Sequence, residues 1–307
     1  MTGSRSSIWS IIEDISVSFK FAFKNLLSFF LGMIGILVMT LLCLVMMLAL
    51  FFVTVVFLLP NGVWDLIDVF IAIIEAFGNY PEPTSLGLVV LVLVPLVLPL
   101  FVAIGALYGM AREIVESEGA SAEGVFTWYS SRFFSLAGGG IIIFLVTIVP
   151  IAFLYAYAYQ TLGGVITGTN ETIVIVTAVM WFIITSGLLS MMFPAIIDGM
   201  PVLQAAGTSV KMGVKYLDRV FSVWIFFLVL IVALISPLIW PYNFYLLFGT
   251  YSLGAYPAGA ILLILFIVIP ALAIAQSRVY LLVSSEEDEI PVTDENTHDI
   301  DKWGARN

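Results

Sequence analysis

This sequence is poor in charge, cysteine and histidine, and each shortage removes a class of protein. Only 10% of its 307 residues are Asp, Glu, Lys or Arg, against about 25% in ordinary soluble domains. A water-soluble globule is thereby excluded. The single cysteine, Cys43, cannot close an intramolecular disulfide, and it lies within an apolar run where a small buried thiol is unremarked. The single histidine, His298, sits in a polar tail, which excludes catalytic or metal sites built from histidine clusters. No nucleotide-binding loop, zinc-ligand spacing, nucleophile elbow or paired catalytic carboxylates occurs, so neither an enzyme nor a cofactor is expected. The first 28 residues alternate polar and apolar without a compact apolar core, so they are not expected to act as a cleavable signal.

What the chain has is apolar surface. It is 62% hydrophobic with mean hydropathy +1.13. Apolar runs of about 20 residues, each enough to cross hydrocarbon as a helix, recur six times. The expected fold is an all-α membrane bundle. Its spans cover about 29–59, 86–110, 135–157, 173–197, 220–240 and 257–281, with a domain over 1–283 and an acidic, disordered tail over 284–307. That tail holds eight of the 21 acidic residues, from Glu286 to Asp301, so the membrane part is only mildly acidic.

Polar segments sit between the spans. Residues 8–27 place Ile8, Ile11, Ile12, Ile15 and Phe19 at helical spacing, with Glu13, Asp14, Lys20 and Lys24 assigned to the opposite face, which predicts an interfacial amphipathic helix. The first span is longer than a bilayer needs and is expected to tilt or kink near Gly32 and Gly35, ending at Pro60-Asn61-Gly62. A second interfacial helix is expected over 63–78, carrying Asp65, Asp68 and Glu75 on its wet side. Pro95 and Pro99 predict a kink in span two. Ser121-Ala122-Glu123-Gly124 opens a short helix in the charged loop, and Gly138-Gly139-Gly140 lets backbones approach in span three. Tyr155, Tyr157 and Tyr159 mark an aromatic belt. Asn170-Glu171-Thr172 fits a glycosylation acceptor at Asn170.

The basic residues fix an orientation. Arg5, Lys20 and Lys24 precede span one, Arg112 and Arg132 lie between spans two and three, Lys211, Lys215 and Arg219 lie between four and five, and Arg278, Lys302 and Arg306 close the chain. These are all 11 Lys and Arg, and the loops after spans one, three and five contain none. The positive-inside rule puts both termini in the cytoplasm of a multi-pass cell-membrane protein.

Aligning Ser28, Ser135 and Ser222 brings Asn25, Arg132 and Arg219 into register, each ahead of an apolar pair and a span. The six spans then read as three hairpin repeats, at about 8–110, 121–197 and 202–283, each led by a cytoplasmic amphipathic helix. With Phe193-Pro194-Ala195-Ile196-Ile197-Asp198-Gly199 leading to Ala205-Ala206-Gly207-Thr208-Ser209, the chain resembles six-span prokaryotic membrane families, many archaeal. Among these is the membrane domain attached to some glycerophosphoryl diester phosphodiesterases. The likeness covers roughly residues 10–283. It implies the fold; the phosphodiesterase catalytic domain has no counterpart here.

Ionisable groups inside spans usually mark transport or proton paths, because burying charge in lipid is costly. The span interiors, away from their ends, hold none, and the candidate polar groups there are the hydroxyls of Thr40, Thr54, Thr147, Thr177, Thr185, Ser186 and Ser190. Back-bonding to their own helix is the ordinary role of such hydroxyls. Asp198 and Glu113 stand at span ends. Lys20, Lys24, Arg132, Lys211, Lys215 and Arg219 form a candidate basic ring for anionic lipid headgroups. The expected function is a non-enzymatic scaffold or partner subunit. Its partners are membrane lipids and other membrane proteins, with no nucleic acid. The alternative is a transporter or channel for a small neutral or amphiphilic solute, which requires a polar cavity lined by spans two, five and six.

Overall fold

Hydrocarbon offers no hydrogen-bond partner, so the apolar runs can satisfy their backbones only by coiling on themselves. The computed structural model describes residues 8–58, 64, 67–68, 71, 83–117, 122–163, 166–239 and 250–288. Its elements are α1 (Ile8–Lys24), α2 (Leu26–Leu58), α3 (Pro83–Ser117), α4 (Ala122–Ser131), α5 (Phe133–Thr161), α6 (Thr169–Leu188), α7 (Met192–Ile197), α8 (Val202–Lys215), α9 (Leu217–Ile239), α10 (Thr250–Leu263), a π-helical turn (Ile264–Val268) and α11 (Ile269–Asp288). Six stretches are long and apolar enough to cross a membrane, and no strand occurs among the described residues. The protein is an all-α integral membrane protein.

Three short helices run into long apolar ones through one-residue breaks at Asn25, Arg132 and Tyr216. Hydrogen bonds of helical spacing continue across each, as from the amides of Phe29, Leu136 and Val220 to the carbonyls of Asn25, Arg132 and Tyr216. The breaks are therefore kinks rather than loops. The third falls three residues ahead of Arg219, the residue that the sequence register equates with Asn25 and Arg132.

The core gathers at the end of the bundle that carries the arginines, here termed the basic end. Val102, Met110 and Ile114 of α3, Met191 to Ile197, and Ala271, Ala273 to Ser277, Val279 and Tyr280 of α11 are buried there. Toward the other end Leu41, Leu42, Val45 and Met46 of α2 and Ile175, Val176 and Val179 of α6 stay exposed, as suits side chains facing lipid. Helix α3 packs most extensively on α5. A Cβ on Gly140 would fall 2.1 Å from the Phe101 Cβ, so only glycine admits this approach.

Prolines and breaks are compensated locally. Pro150 leaves the Val146 carbonyl without its helical donor, and the Trp181 indole N–H supplies one at 3.0 Å. Pro237 does the same to Ala233, whose carbonyl accepts from Ser236 Oγ at 3.0 Å. Span four, expected as one helix, stops at Leu188 and resumes at Met192. Ser209 of α8 bridges the gap: its hydroxyl donates to the Leu188 carbonyl at 2.7 Å and accepts from the Met191 amide at 3.1 Å. Span six is interrupted ahead of Pro270 by the π turn, where the Ile269 amide reaches back five residues to Ile264. Helix α3, by contrast, runs unbroken through Pro95 and Pro99.

Two expectations need correction. Asp14 does not lie on a wet face; it is 1% exposed, because arginines of α9 and α11 reach it from within the bundle. The acidic tail does not begin as coil, since α11 continues through Ser284 to Asp288. Of the expected helix over 63–78, only Trp64, Ile67, Asp68 and Ile71 are described, all helical and exposed. Asp65 and Glu75, and the tail beyond Asp288, lie outside the described residues.

Candidate functional site

Helix α11 carries Gln276, Ser277, Arg278 and Tyr280 within five positions, so their side chains radiate to several neighbours around the helix. Each of three picks a different element. Arg278 reaches α1, where its Nε lies 3.1 Å from Asp14 Oδ1 and its Nη2 3.1 Å from Glu13 Oε1. Arg219, at the start of α9, closes on the same carboxylate from the other side, with Nε and Nη2 both 2.9 Å from Asp14 Oδ2. The arginine side chains are 22% and 21% exposed. One buried carboxylate thus holds two guanidiniums and joins the first helix to the last two spans. Phe19 stacked on Phe227, with centroids 5.6 Å apart, extends the α1–α9 contact.

A second node lies on the opposite side of α11. The Tyr280 hydroxyl donates to Asp198 Oδ2 at 3.0 Å. Arg112 of α3 donates through Nη1 to Asp198 Oδ1 at 2.5 Å and through Nε to Glu116 at 2.8 Å. Deeper in, the Tyr108 hydroxyl donates to Gln276 Oε1 in a fully buried hydrogen bond, and the Tyr108 ring stacks on Phe193 at 5.6 Å. Ser277 Oγ is buried beside them without a hydrogen-bond partner. The gap bounded by Tyr108, Arg112, Ser277 and Tyr280 is too narrow for a water-sized molecule.

The surrounding helix α4 is fixed by its own polar contacts. Trp128 Nε1 donates to Glu113 Oε1 at 2.7 Å. The Tyr129 hydroxyl faces Cys43 Sγ at 3.7 Å, and burial pushes this phenol up to about 12, so it stays a neutral donor at physiological pH.

The candidate ring separates into two groups. Lys20 and Lys24 of α1, and Lys211 and Lys215 of α8, have exposed side chains, with Lys215 Nζ 5.0 Å from the Tyr216 ring centroid. Arg219 instead turns inward to Asp14, and Arg132 is half-buried at its kink. Asn170 is exposed in the first turn of α6. Thr177, Thr185 and Ser186 donate to carbonyls one turn back, at Ile173, Trp181 and Phe182. Thr147 and Ser190 bury hydroxyls that have no partner. The Thr54 side chain lies outside the described residues.

Sequence reasoning missed Tyr108, Gln276, Tyr280 and the role of Asp14. The available signal was the polar run Gln276-Ser277-Arg278 at the end of an apolar span, which entered only as one more positive charge. The hollow of about 440 Å³ between spans is lined by Ile151, Ala178, Val179, Phe182, Ile183, Leu228, Val229 and Val232, without a polar atom. It opens on the side of the bundle among spans three, four and five. No family model, curated protein or solved structure matches this chain.

Proposed function

We propose that the chain is a non-enzymatic membrane scaffold or partner subunit that organises lipid or other membrane proteins, with both termini in the cytoplasm. The observation that carries this reading is the mutual engagement of the polar groups at the basic end. Asp14 accepts from two arginines, Asp198 from Arg112 and Tyr280, and Gln276 from Tyr108. A reaction centre would turn such groups toward a substrate cavity; here they brace one helix against another. The distribution of Lys and Arg along the sequence supports the orientation. Kinship with the six-span prokaryotic families belongs to the same proposal, resting on the six spans and the residues from Phe193 to Ser209. Affinity isolation from host membranes in mild detergent tests the scaffold role. A reproducible protein or lipid partner is expected, and its absence across independent preparations would overturn the reading.

A second reading draws on the interruptions at Leu188–Met192 and Ile264–Val268, since broken helices often frame binding sites in transporters. It requires a polar path along spans two, five and six. The apolar hollow among spans three, four and five does not supply one, so the scaffold reading is preferred. Flux of small neutral solutes into protein-containing vesicles above protein-free controls would reverse that preference.

A further inference from the structure

The three kinks at Asn25, Arg132 and Tyr216 set a common register. Seven positions before them stand Ser18, Val125 and Ser209, and four positions after them stand Phe29, Leu136 and Val220. All of these are buried. Packing follows the same order. Helix α4 lies on α3 and α2, and helix α8 lies on α7 and α5. Each short helix thus covers both spans of the hairpin before it in the chain. Helix α1 has no hairpin before it, and it lies on α11 and α9, the spans of the last one. The hairpins therefore form a ring that α1 closes.

The seams of this ring are not alike. The chain itself crosses the first, from α3 to α4, and the second, from α7 to α8. Both are also shut by apolar packing on glycine. A Cβ on Gly105 of α3 would fall 2.5 Å from Leu136 of α5, and one on Gly187 of α6 would fall 2.7 Å from Phe221 of α9. The third seam, between the last hairpin and the first, has no peptide link across it. At its inner edge α3 packs on α11. At its outer edge, among the described residues, α2 meets the last hairpin chiefly at the π turn, where the Phe30 and Phe266 ring centroids are 4.8 Å apart. Helix α1 supplies the rest, with Phe19 stacked on Phe227, Asp14 held by Arg219 and Arg278, and Glu13 on Arg278.

Seams of these two kinds part at different cost. Glycine-fitted packing loses its dispersion contacts outright when it opens. The two arginines already reach the surface, and water takes over their bonds as the carboxylates withdraw. A π turn is itself a common mark of a functional position in a helix. The kink at Asn25 keeps α1 and α2 one hydrogen-bonded piece, through the Asn25 amide to Phe21 and the Phe29 amide to Asn25, so movement of α1 is carried into α2. We propose that α1 is a strap across the third seam. Docked on Arg219 and Arg278, it holds α2 against the π turn. Released, it lets α2 swing away and opens the bundle sideways to the bilayer, while α3 and α11 stay packed behind. The device does not depend on what the chain organises, so it stands apart from the scaffold reading.

The test uses the full chain with Cys43→Ser in nanodiscs, and double electron–electron resonance between spin labels on introduced cysteines. One pair, at Leu37 of α2 and Leu262 of α10, spans the third seam; another, at Leu100 of α3 and Leu145 of α5, spans the first. All four positions are exposed. The third seam should give two distances and the first a single one. Glu13→Gln removes only the exposed pair with Arg278 and should raise the ratio of long to short by roughly twofold to fivefold. High salt should raise it without any change at α1, and Asp14→Asn should leave the long distance dominant. The salt and Glu13 arms leave the buried carboxylate intact, so the outcome does not hang on whether Asp14→Asn folds. A single distance at the third seam that neither salt nor Glu13→Gln moves, or equal broadening at both seams, overturns the strap.

Discussion

Asp14 and Arg278, near opposite ends of the chain, meet at 3.1 Å, and the same carboxylate also takes both Nε and Nη2 of Arg219 at 2.9 Å. Removing the acid leaves two partly buried guanidiniums facing each other. Asp14→Ala should therefore cost about 3 kcal/mol, read as a lowered thermal midpoint of the purified protein. Replacing the group together, as Asp14→Leu with Arg219→Met and Arg278→Met, should recover most of the loss, because an apolar cluster of similar volume needs no compensating charge. A single alanine variant that melts like the natural protein would show that this triad is not a brace.

The bond from Trp181 to the Val146 carbonyl exists because Pro150 offers no amide. Trp181→Phe should cost about 1–3 kcal/mol for the carbonyl left unpaired away from water. Pro150→Ala restores an amide of its own, and in that background the tryptophan substitution should cost much less. The coupling from this double-mutant cycle is the quantity to measure, and additivity of the two changes would contradict the assignment.

Ser209 serves two backbone groups of the interrupted span at once. Ser209→Ala should destabilise by about 1–3 kcal/mol and raise hydrogen exchange at the Met191 amide, with exchange deep in α5 unaffected. Unchanged exchange at Met191 would mean that the hydroxyl is not what closes the break.

Two glycines on helices should respond in opposite senses. Gly140→Ala drives a Cβ into the Phe101 side chain and should cost about 1–3 kcal/mol through overpacking. Gly207 has nothing within 4 Å of the same position, so Gly207→Ala should stabilise α8 by up to about 1 kcal/mol, the helix-propensity difference between the two residues. Thermal midpoints of the two variants settle the comparison.

The spans were legible because their signal is local: an apolar run has to be helical in lipid wherever it lies in the chain. The apolar run predicts span one over 29–59, and α2 covers Leu26–Leu58. The polar nodes were not legible, because their members are far apart in sequence. Asp14 beside Glu13 reads as a wet face until Arg219 and Arg278 are known to stand beneath it. The break after Leu188 has the same character, since the residue that makes it tolerable, Ser209, arrives 21 positions after the carbonyl it serves. Asp198 reads as a solvated helix end, and only the packing of α3 and α11 against it brings Arg112 and Tyr280 within reach. Lys211 and Lys215 were legible as a basic pair.

The π turn at Ile264–Val268 has a consequence for how span six is phased. A π turn takes up one residue more than the helix around it, and one residue is about 100° of rotation. Helix α10 and helix α11 thus point their side chains by different clocks, although they share one axis through the membrane. Deleting a single residue inside the turn would leave a respectable uninterrupted helix. It would also leave Arg278 and Tyr280 turned toward Asp14 and Asp198, because the wide turn already absorbs the extra residue. Winding the turn into regular α-helix at full length would instead swing one half of the span against the other by about 100° and carry both side chains away from those partners.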